Sequence, residues 1–410
     1  MRKHFALDLD EGWLEPDSTD KPVSYLSPKQ LSTPINHILL TGSTGKIGGY
    51  LLKDLIETTD TKITCLVRGA TDEQTQEKVL HNLAVYGNID KWREKLAEGR
   101  IRVINADLEK INLGLSDEVY KQLIDGIDCV IHAAAVTSLR GSYEKLYPIN
   151  VLATQLVIDF ALQTKSKYMT YISSYSIFGE KIFIDREPIT EDEFDIGQKF
   201  HKLGYQKTKF EAEALINKAK KKGLKGLILR LGNIMGDSET GAFKIDKSLM
   251  TDFFYGFTVI LIKERVFPLF MQYFNVCPVD YCAKSVNYLI VTKRYYDTNF
   301  HILNPHQPRM IEVGYELKKV AAELGFSIDL LSPNDYIKFL DKNGRVDRME
   351  RLFLAQIESY AQYLLSRGGC QVGCQYTQFF LTDSGITCEK VSEKLLMKYI
   401  LKVREMLQMS

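Results

Sequence analysis

Residues 37–52 read HILLTGSTGKIGGYLL, and this stretch decides the fold of the chain. A short apolar run over 38–40 enters a turn that carries three glycines, and apolar residues then continue at helical spacing. Gly42 permits a tight turn, Gly45 lets the backbone approach a pyrophosphate, and Gly48 lets the helix pack closely on the strand. The pattern predicts a strand, a glycine turn and a helix, with phosphates bound at the helix N-terminus.

The end of the next apolar run indicates which dinucleotide binds. The glycine spacing is G-x-x-G-x-x-G, which differs from the G-x-G-x-x-G of two-domain dehydrogenases. The apolar run 63–67 is followed directly by Arg68, at the place where such folds contact the adenosine ribose. An arginine there favours a 2′-phosphate over a free 2′-hydroxyl, so Arg68 predicts NADP(H); the alternative is a solvated arginine at a strand end. Lys46 and Lys78 either add positive charge to this site or are ordinary surface lysines.

The bulk composition excludes several classes of protein. The 410 residues contain 53 Lys and Arg against 52 Asp and Glu, so neither a nucleic-acid binder nor a polybasic membrane anchor is expected. The N-terminus lacks the apolar core of a secretory signal, and the apolar stretch 253–274 is interrupted by charges at 263–265, so it cannot span a bilayer. Seven cysteines, an odd number, predict free thiols in a reducing, cytoplasmic compartment. Cys370 and Cys374 lack a partner pair at zinc spacing, so no metal site is expected.

From residue 37 onward, apolar runs alternate with helical patterns. The runs lie at 38–41, 63–67, 101–104, 128–132, 169–173 and 226–230. Such alternation predicts an α/β fold of the Rossmann type, with a doubly wound parallel sheet covered by helices on both faces. We expect 1–36 to be a lead-in segment and 37–240 to be the NADP-binding domain, completed by about 275–303. Residues 241–274 and 304–410 are expected to form a smaller, mainly helical substrate-binding or lid domain.

Several polar and small residues follow the predicted strands, where ligands of such a fold bind. Asp107, after the third strand, is placed to accept a hydrogen bond from the adenine amino group. Ala133 and Ala134, after the fourth strand, let the backbone lie against the cofactor, or else they begin a helix. Asn150 opens the next helix and is assigned to the cofactor site, with a simple N-cap as the alternative.

A serine, a tyrosine and a lysine are the candidate groups for acid–base catalysis. Ser174 follows the fifth predicted strand, and Tyr205 and Lys209 are four residues apart, so they share one helix face. An ammonium near a phenol lowers the phenol pKa and makes it usable as a general acid or base; the same lysine can hold the nicotinamide ribose. Ser174 supplies a second hydrogen bond to the reacting oxygen.

These features together resemble the extended short-chain dehydrogenases/reductases, and within them the thioester reductase branch. The matching pieces are Thr41-Gly42-Ser43-Thr44-Gly45-Lys46-Ile47-Gly48, Cys65-Leu66-Val67-Arg68, Asp107-Leu108 followed by Leu113-Gly114-Leu115-Ser116, His132-Ala133-Ala134, Tyr205-x-x-x-Lys209, and RLGNIMGDSETG over 230–241. The chain departs from the branch at Ala106, where glycine is more frequent, at Lys46-Ile47, where Phe-Leu is usual, and at Leu231, where proline is usual.

The resemblance implies NADPH-dependent release of an acyl group from a phosphopantetheine thioester, as an aldehyde or, after a second hydride, an alcohol. The acyl carrier is then a carrier protein acting in trans, or the substrate is bound to coenzyme A. Ser174, Tyr205 and Lys209 fall on the catalytic triad. The expected cofactor site comprises Gly42, Thr44, Gly45, Lys46, Ile47, Gly48, Arg68, Lys78, Asp107, Leu108, Ala133, Ala134, Asn150, Tyr205, Lys209, Gly232, Asn233 and Ile234.

Three other functions also fit these residues. A fatty acyl-CoA reductase would use nearly the same site with a different acyl carrier. A nucleotide-sugar epimerase or dehydratase uses the same Tyr/Lys pair, although Arg68 disfavours its usual NAD. A non-catalytic NADP-sensing regulator would keep the glycine loop without needing the triad. The aromatic residues of 250–274 suit either an acyl channel lid or the core of a helical subdomain.

Overall fold

The computed structural model describes residues 28–137, 141–179, 187–200, 204–245, 249, 252–270, 273–342 and 371–409. Its strands are β1 Lys29–Gln30, β2 His37–Thr41, β3 Lys62–Val67, β4 Ile101–Asn105, β5 Cys129–His132, β6 Tyr168–Ser174, β7 Lys225–Leu231, β8 Asn233–Met235, β9 Val266–Pro268, β10 Val276–Pro278, β11 Tyr295–Tyr296, β12 Thr298–Ile302 and β13 Asp329–Leu331. Its α-helices are α1 Lys46–Thr58, α2 Asp72–Ala84, α3 Ile89–Ala97, α4 Asp117–Gly126, α5 Tyr143–Tyr147, α6 Ala153–Gln163, α7 Gly204–Lys221, α8 Phe253–Glu264, α9 Val279–Asn287, α10 Met310–Glu323, α11 Pro333–Lys342, α12 Gln375–Leu381 and α13 Glu393–Met409.

Within the described residues, seven strands form one parallel sheet in the order β12-β7-β6-β5-β2-β3-β4. All six predicted strands are present, and the predicted doubly wound α/β class is confirmed. The strands could be located because a parallel sheet buried on both faces requires continuous apolar runs. Ile38, Leu39 and Leu40 of β2 are fully buried.

The direction of chain winding reverses at β2, which pairs with β3 on one side and β5 on the other. In open α/β sheets, the crevice at such a switch point lies beyond the carboxyl ends of the strands and receives the ligand. The glycine turn after β2 and residues 133–137 after β5 therefore border the same crevice.

The segment 276–302 returns to the sheet. β10 pairs in parallel with β8 in the register Val276 with Asn233, and β12 pairs with β7 in the register Thr298 with Leu227. This return falls inside the range 275–303 that the sequence predicts, while the domain boundaries themselves stay predictions.

A second apolar core lies among α8, α10 and α13. Phe254, Phe257, Ile260, Leu261 and Phe267 are all buried in it. These side chains therefore act as the core of a helical layer in this structure. None of the helices in the described ranges is both long and apolar enough to cross a membrane. The predicted helical pattern over 349–365 lies outside the described residues.

Candidate active site

The glycine turn brings two backbone segments into close contact. Gly42 has φ +78°, and a Cβ on it would lie 2.6 Å from the Ala133 carbonyl carbon and the Ala134 nitrogen. A Cβ on Gly48 would lie 2.1 Å from the Gly42 carbonyl oxygen. Backbone atoms cannot move aside cheaply, so only glycine fits at either position.

The start of α1 suits a dinucleotide pyrophosphate. Gly45 is the N-cap residue, its position carries no side-chain cap, and the first helical turn holds no acidic residue. The amides at this helix end therefore have no side-chain acceptor from the cap and no carboxylate in the first turn to repel an anion. Ile47 packs against the sheet core, and the Thr44 carbonyl accepts a hydrogen bond from the Lys244 ammonium.

Asn82 on α2 supports this loop, although no sequence motif pointed to it. Its Nδ2 donates to the Ser43 carbonyl at 2.8 Å and to the Gly45 carbonyl at 3.0 Å. A Cβ on Gly49 would lie 1.9 Å from that same nitrogen. The sequence signal for this contact was the pair Gly48-Gly49, because a residue without a side chain at 49 leaves room for the Asn82 side chain against the glycine turn.

Lys46 is held by the helical layer in this structure. Its ammonium forms an ion pair with Asp252 and donates to the Ile234 carbonyl at 3.3 Å. Asp252 also caps α8, accepting from the backbone amides of Phe254 and Tyr255 at 3.1 and 3.2 Å. The lysine that replaces the usual aromatic residue thus joins the glycine loop to α8, and its contact with the cofactor stays a prediction.

The Lys46–Asp252 pair should contribute to stability. The two side chains are 19% and 26% exposed. We expect a double-mutant cycle of Lys46→Met and Asp252→Asn to give a coupling free energy of unfolding of about 0.5–1 kcal/mol, measured by urea denaturation. Single substitutions whose effects simply add would show that the pair contributes nothing.

Arg68 lies at the end of β3, as predicted, and is 64% exposed. Its Nη1 donates to Glu109 Oε1 at 2.7 Å, and the Lys78 ammonium donates to the Arg68 carbonyl at 2.8 Å. Arg68 and Lys78 therefore lie together, and Glu109 occupies the place of an anionic partner for the guanidinium. A 2′-phosphate would compete with Glu109 for Arg68.

Asp107 and Leu108 follow β4 in a tight turn. The Asp107 amide donates to the Leu113 carbonyl at 2.9 Å, and its Oδ1 accepts from the Glu109 amide at 3.2 Å. Leu108 packs against the sheet core. The turn places Asp107 beside the Arg68–Glu109 pair, while its contact with adenine stays a prediction.

Ala133 and Ala134 continue from β5 in irregular backbone. Their amides donate to the Thr41 carbonyl and to Thr41 Oγ1, each at 3.3 Å. The alternative that they begin a helix is wrong, since residues 133–137 of the described chain are not helical. The two alanines thus lie against the glycine turn.

Asn150 lies inside the π-helical turn Pro148–Leu152, between α5 and α6. Its side chain accepts from the Val136 amide at 2.8 Å and donates to the Val136 carbonyl at 3.1 Å and to Thr208 Oγ1 at 3.0 Å. The N-cap alternative is wrong, because Asn150 joins the loop after β5 to α7 instead of capping a helix. Any contact with the cofactor stays a prediction.

Ser174 and Tyr205 are brought together at the carboxyl end of β6. The Tyr205 phenol lies beside the Ser174 hydroxyl, whose Oγ also lies 2.9 Å from Ser176 Oγ. Desolvation raises the pKa of Tyr205 to about 12, although the adjacent Ser174 hydroxyl acts in the opposite direction. The expectation that Lys209 lowers this pKa is wrong, because desolvation of the phenol dominates.

Lys209 is 3% exposed and lies one turn from Tyr205 on α7. Its ammonium donates to the Ile172 carbonyl at 2.7 Å and to the Tyr171 hydroxyl at 3.0 Å. Burial lowers the pKa of Lys209 to about 7, partly offset by Glu213. Because these contacts direct the ammonium at β6, Lys209 does not lower the pKa of Tyr205.

Gly232, Asn233 and Ile234 border the site after β7. Asn233 Nδ2 donates to the Tyr175 hydroxyl at 3.2 Å, which links this segment to the turn that follows Ser174. A Cβ on Gly232 would lie 2.9 Å from the Asn275 carbonyl oxygen. These strand-end residues therefore lie along the carboxyl edge of one sheet, and Arg68 follows β3, toward the β4 end of that sheet.

Comparison with known proteins gives consistent matches. The family model described as male sterility protein, for an NAD-binding domain, matches residues 40–286. A linear gramicidin synthase of Brevibacillus parabrevis is 28% identical over 364 residues, which are 88% of this chain and 7% of that protein. The L-2-aminoadipate reductase of Penicillium chrysogenum, in its large subunit, is 30% identical over 262 residues, which are 61% of this chain and 18% of that protein. The chain spans less than a fifth of the length of either relative.

Solved structures match over nearly the whole chain. The terminal R domain of the myxalamid PKS-NRPS pathway has a TM-score of 0.76 and 26% identity, with 92% of each chain covered. A thiolation-reductase di-domain of an archaeal non-ribosomal peptide synthetase has a TM-score of 0.76 and 22% identity, covering 94% of this chain and 78% of that one. UDP-glucuronic acid 4-epimerase from Bacillus cereus, at 16% identity and a TM-score of 0.60, shares the fold.

Proposed function

The chain belongs to the male sterility protein family, in the thioester reductase branch of the extended short-chain dehydrogenases/reductases, and we propose that it uses NADPH to release an acyl group from a thioester. The product is an aldehyde or, after a second reduction, an alcohol. The substrate is an acyl group on the phosphopantetheine of a carrier protein or on coenzyme A.

The observation that carries the proposal is the arrangement of Ser174, Tyr205 and Lys209. The Tyr205 phenol meets the Ser174 hydroxyl at the carboxyl end of β6, and Lys209 is buried one turn away. β5 pairs in parallel with both β6 and β2, so the triad and the glycine turn lie at the same carboxyl edge of the sheet. In such folds this edge borders the ligand crevice.

The chain's own residues can perform the acid half of a carbonyl reduction. Reduced nicotinamide supplies a hydride when bound. A pKa of about 12 keeps the Tyr205 phenol protonated near neutral pH, so it can donate a proton to the oxygen of a thioester carbonyl. The Ser174 hydroxyl donates a second hydrogen bond to the same oxygen and stabilises negative charge there. The Lys209 ammonium is directed at β6, one helical turn from the phenol, and its proposed role is to hold the nicotinamide ribose.

The thioester substrate is supported by the relatives. One relative is named a reductase of L-2-aminoadipate, and one structural neighbour joins a reductase to a thiolation domain. A thioester carbonyl carries a thiolate leaving group, so collapse of the reduced adduct releases a thiol and leaves an aldehyde. These names favour a thioester over a nucleotide sugar.

Arg68 should determine the preference for NADPH. We expect Arg68→Gln to weaken NADPH binding by about 10–100-fold, because the charge-assisted hydrogen bonds to the 2′-phosphate are lost. NADH lacks this phosphate, so its binding should be unchanged. Dissociation constants from calorimetry for both cofactors measure this. Glu109→Gln is the matched control: it removes the competing carboxylate, so NADPH binding should tighten. An equal loss for both cofactors in Arg68→Gln would contradict the assignment.

Thioester turnover tests the proposed function. Purified protein with NADPH is given acyl-CoA and acyl-pantetheine thioesters, and products are identified by mass spectrometry. We expect NADPH consumption only with a thioester, together with an aldehyde or alcohol of the same acyl group. Binding of NADPH without turnover on any thioester would overturn it. The preferred chain length and acyl carrier then identify the natural substrate class.

A further inference from the structure

A buried polar cluster adjoins the triad on the side away from the glycine turn. It consists of Glu191, Glu213, Arg230, His301 and Thr377, and we call it the Arg230 cluster. Arg230 on β7 and Glu213 on α7 are both fully buried. The Arg230 Nε donates to both Glu213 oxygens at 3.1 Å, and its Nη2 donates to Oε2 at 2.9 Å. The guanidinium thus holds the helix that carries Tyr205 and Lys209.

The other arm of Arg230 holds a loop. Its Nη1 donates to the carbonyls of Glu193 at 2.7 Å and Glu191 at 3.3 Å, and to His301 Nε2 at 3.0 Å. Burial and the adjacent guanidinium hold the pKa of His301 well below its usual value, so the ring is neutral. Its Nδ1 lies 2.7 Å from the Gly373 carbonyl, which can only accept, so Nδ1 carries the proton. Nε2 is then free to accept from Arg230.

Thr377 completes the cluster. Its amide and its Oγ1 both donate to Glu191 Oε1 at 2.9 Å, and Oγ1 accepts from the His301 amide at 2.8 Å. Residues 189 and 372 form a β-bridge beside it. The cluster therefore joins α7 and β7 to the loop 187–194 and to the chain segment 371–377.

The turn after Ser174 packs on the same guanidinium. The Phe178 ring lies 5.1 Å from the Arg230 guanidinium carbon and meets the His301 ring edge-on at 5.8 Å. Arg230 therefore packs against α7, which carries Tyr205 and Lys209, and against the turn Tyr175–Phe178, which directly follows Ser174. A planar guanidinium with five donors can serve all these partners at once, which a lysine ammonium cannot.

We propose that Arg230 is a positioning residue: it fixes α7 against the turn after Ser174 and against the loop 187–194, so that Ser174, Tyr205 and Lys209 meet a carbonyl in one geometry. The role in turnover rests on the function proposed above. The loop 187–194 and the segment 371–377 are thereby coupled to the triad through the Arg230 cluster.

Glu213 has a second effect within the cluster, on Lys209. The charged and titratable groups around Lys209 are Tyr205 and Glu213 on α7, Tyr171 on β6, His132 on β5, and Arg230 beyond Glu213. His132 is neutral, since burial and Lys209 lower its pKa to about 3. Glu213 is the anion that favours protonated Lys209, so its loss lowers the Lys209 pKa further.

Two substitutions separate position from charge. Arg230→Lys keeps the positive charge beside Glu213 but loses the Nη1 hydrogen bonds to the carbonyls of the loop 187–194. We therefore expect kcat to fall by about 10–100-fold, while the pH dependence of kcat stays in place. Glu213→Gln should move the alkaline limb of kcat to lower pH by about one unit or more, because Lys209 then loses its proton sooner. Arg100→Lys is the matched control, since Arg100 bonds the Thr59 carbonyl at the far end of the sheet.

Hydrogen exchange supplies a test that needs no turnover. Arg230→Lys and the milder Thr377→Val should speed amide exchange in 187–194 and in the first turns of α7, with 38–41 unchanged. Exchange and kcat that match those of Arg100→Lys would overturn the proposal, as would a pH profile unmoved by Glu213→Gln. If the wild-type protein shows no thioester turnover, the proposed function fails, and unchanged exchange in both variants would separately overturn the positioning role.

Discussion

Replacing Tyr205 with phenylalanine should lower kcat for thioester-dependent NADPH oxidation by about 10²–10⁴-fold, the usual contribution of a general acid. The phenol is the proton donor of the proposed reaction, and phenylalanine keeps the ring while removing that proton. Binding of NADPH should stay within about threefold of the wild-type dissociation constant, because an effect confined to the transition state leaves ground-state binding in place. Steady-state kinetics and calorimetry measure the two quantities.

Tyr168→Phe is the matched control for this substitution. The Tyr168 hydroxyl donates to the Tyr295 carbonyl at 2.9 Å and is buried at the opposite end of β6. Its loss should lower the free energy of unfolding by about 1–2 kcal/mol and leave kcat unchanged. A Tyr205→Phe protein that keeps kcat within about threefold of wild type would remove Tyr205 from the mechanism.

Replacing Gly48 with alanine should abolish measurable NADPH binding and lower the free energy of unfolding by about 3 kcal/mol. The added Cβ would lie 2.1 Å from the Gly42 carbonyl oxygen and 2.7 Å from the Gly42 carbonyl carbon. Relief requires the glycine turn to move away from α1, and that displaces the amides expected to bind the pyrophosphate. Calorimetry with NADPH and urea denaturation measure the two effects.

Gly87→Ala is the control for the glycine turn. The atoms nearest to a Cβ there belong to the Trp92 ring, at 3.6 Å or more, which is ordinary contact. We expect its unfolding free energy and NADPH binding to stay close to wild type. If Gly48→Ala binds NADPH as tightly as Gly87→Ala, the turn after β2 is not the pyrophosphate cradle.

The central sheet could be predicted because its information is local. Strands buried on both faces need uninterrupted apolar runs, and each predicted run is a strand of the structure. The glycine turn is equally local, since the close approach of Gly48 to Gly42 is a short-range steric requirement. Arg68 could be placed at a strand end for the same reason.

The partners of charged residues could not be predicted. Lys46 pairs with Asp252, which is 206 residues away, and Arg230 meets Glu191 and His301 from two distant segments. Helical spacing shows that side chains share a face, but it does not show which strand that face packs against. Once Lys209 is directed at β6, burial governs the pKa of Tyr205, and that burial is a property of the assembled fold.

The most direct test of the central claim is the stoichiometry of thiol release. NADPH consumption and free thiol are followed together while the protein acts on an acyl-pantetheine thioester, with the product identified by mass spectrometry. A thioester reductase must release one thiol for each NADPH when it forms an aldehyde, or one for every two when it forms an alcohol. Thiol release without NADPH consumption would indicate simple hydrolysis, and NADPH consumption without thiol release would indicate reduction of a different group; either result would contradict the account.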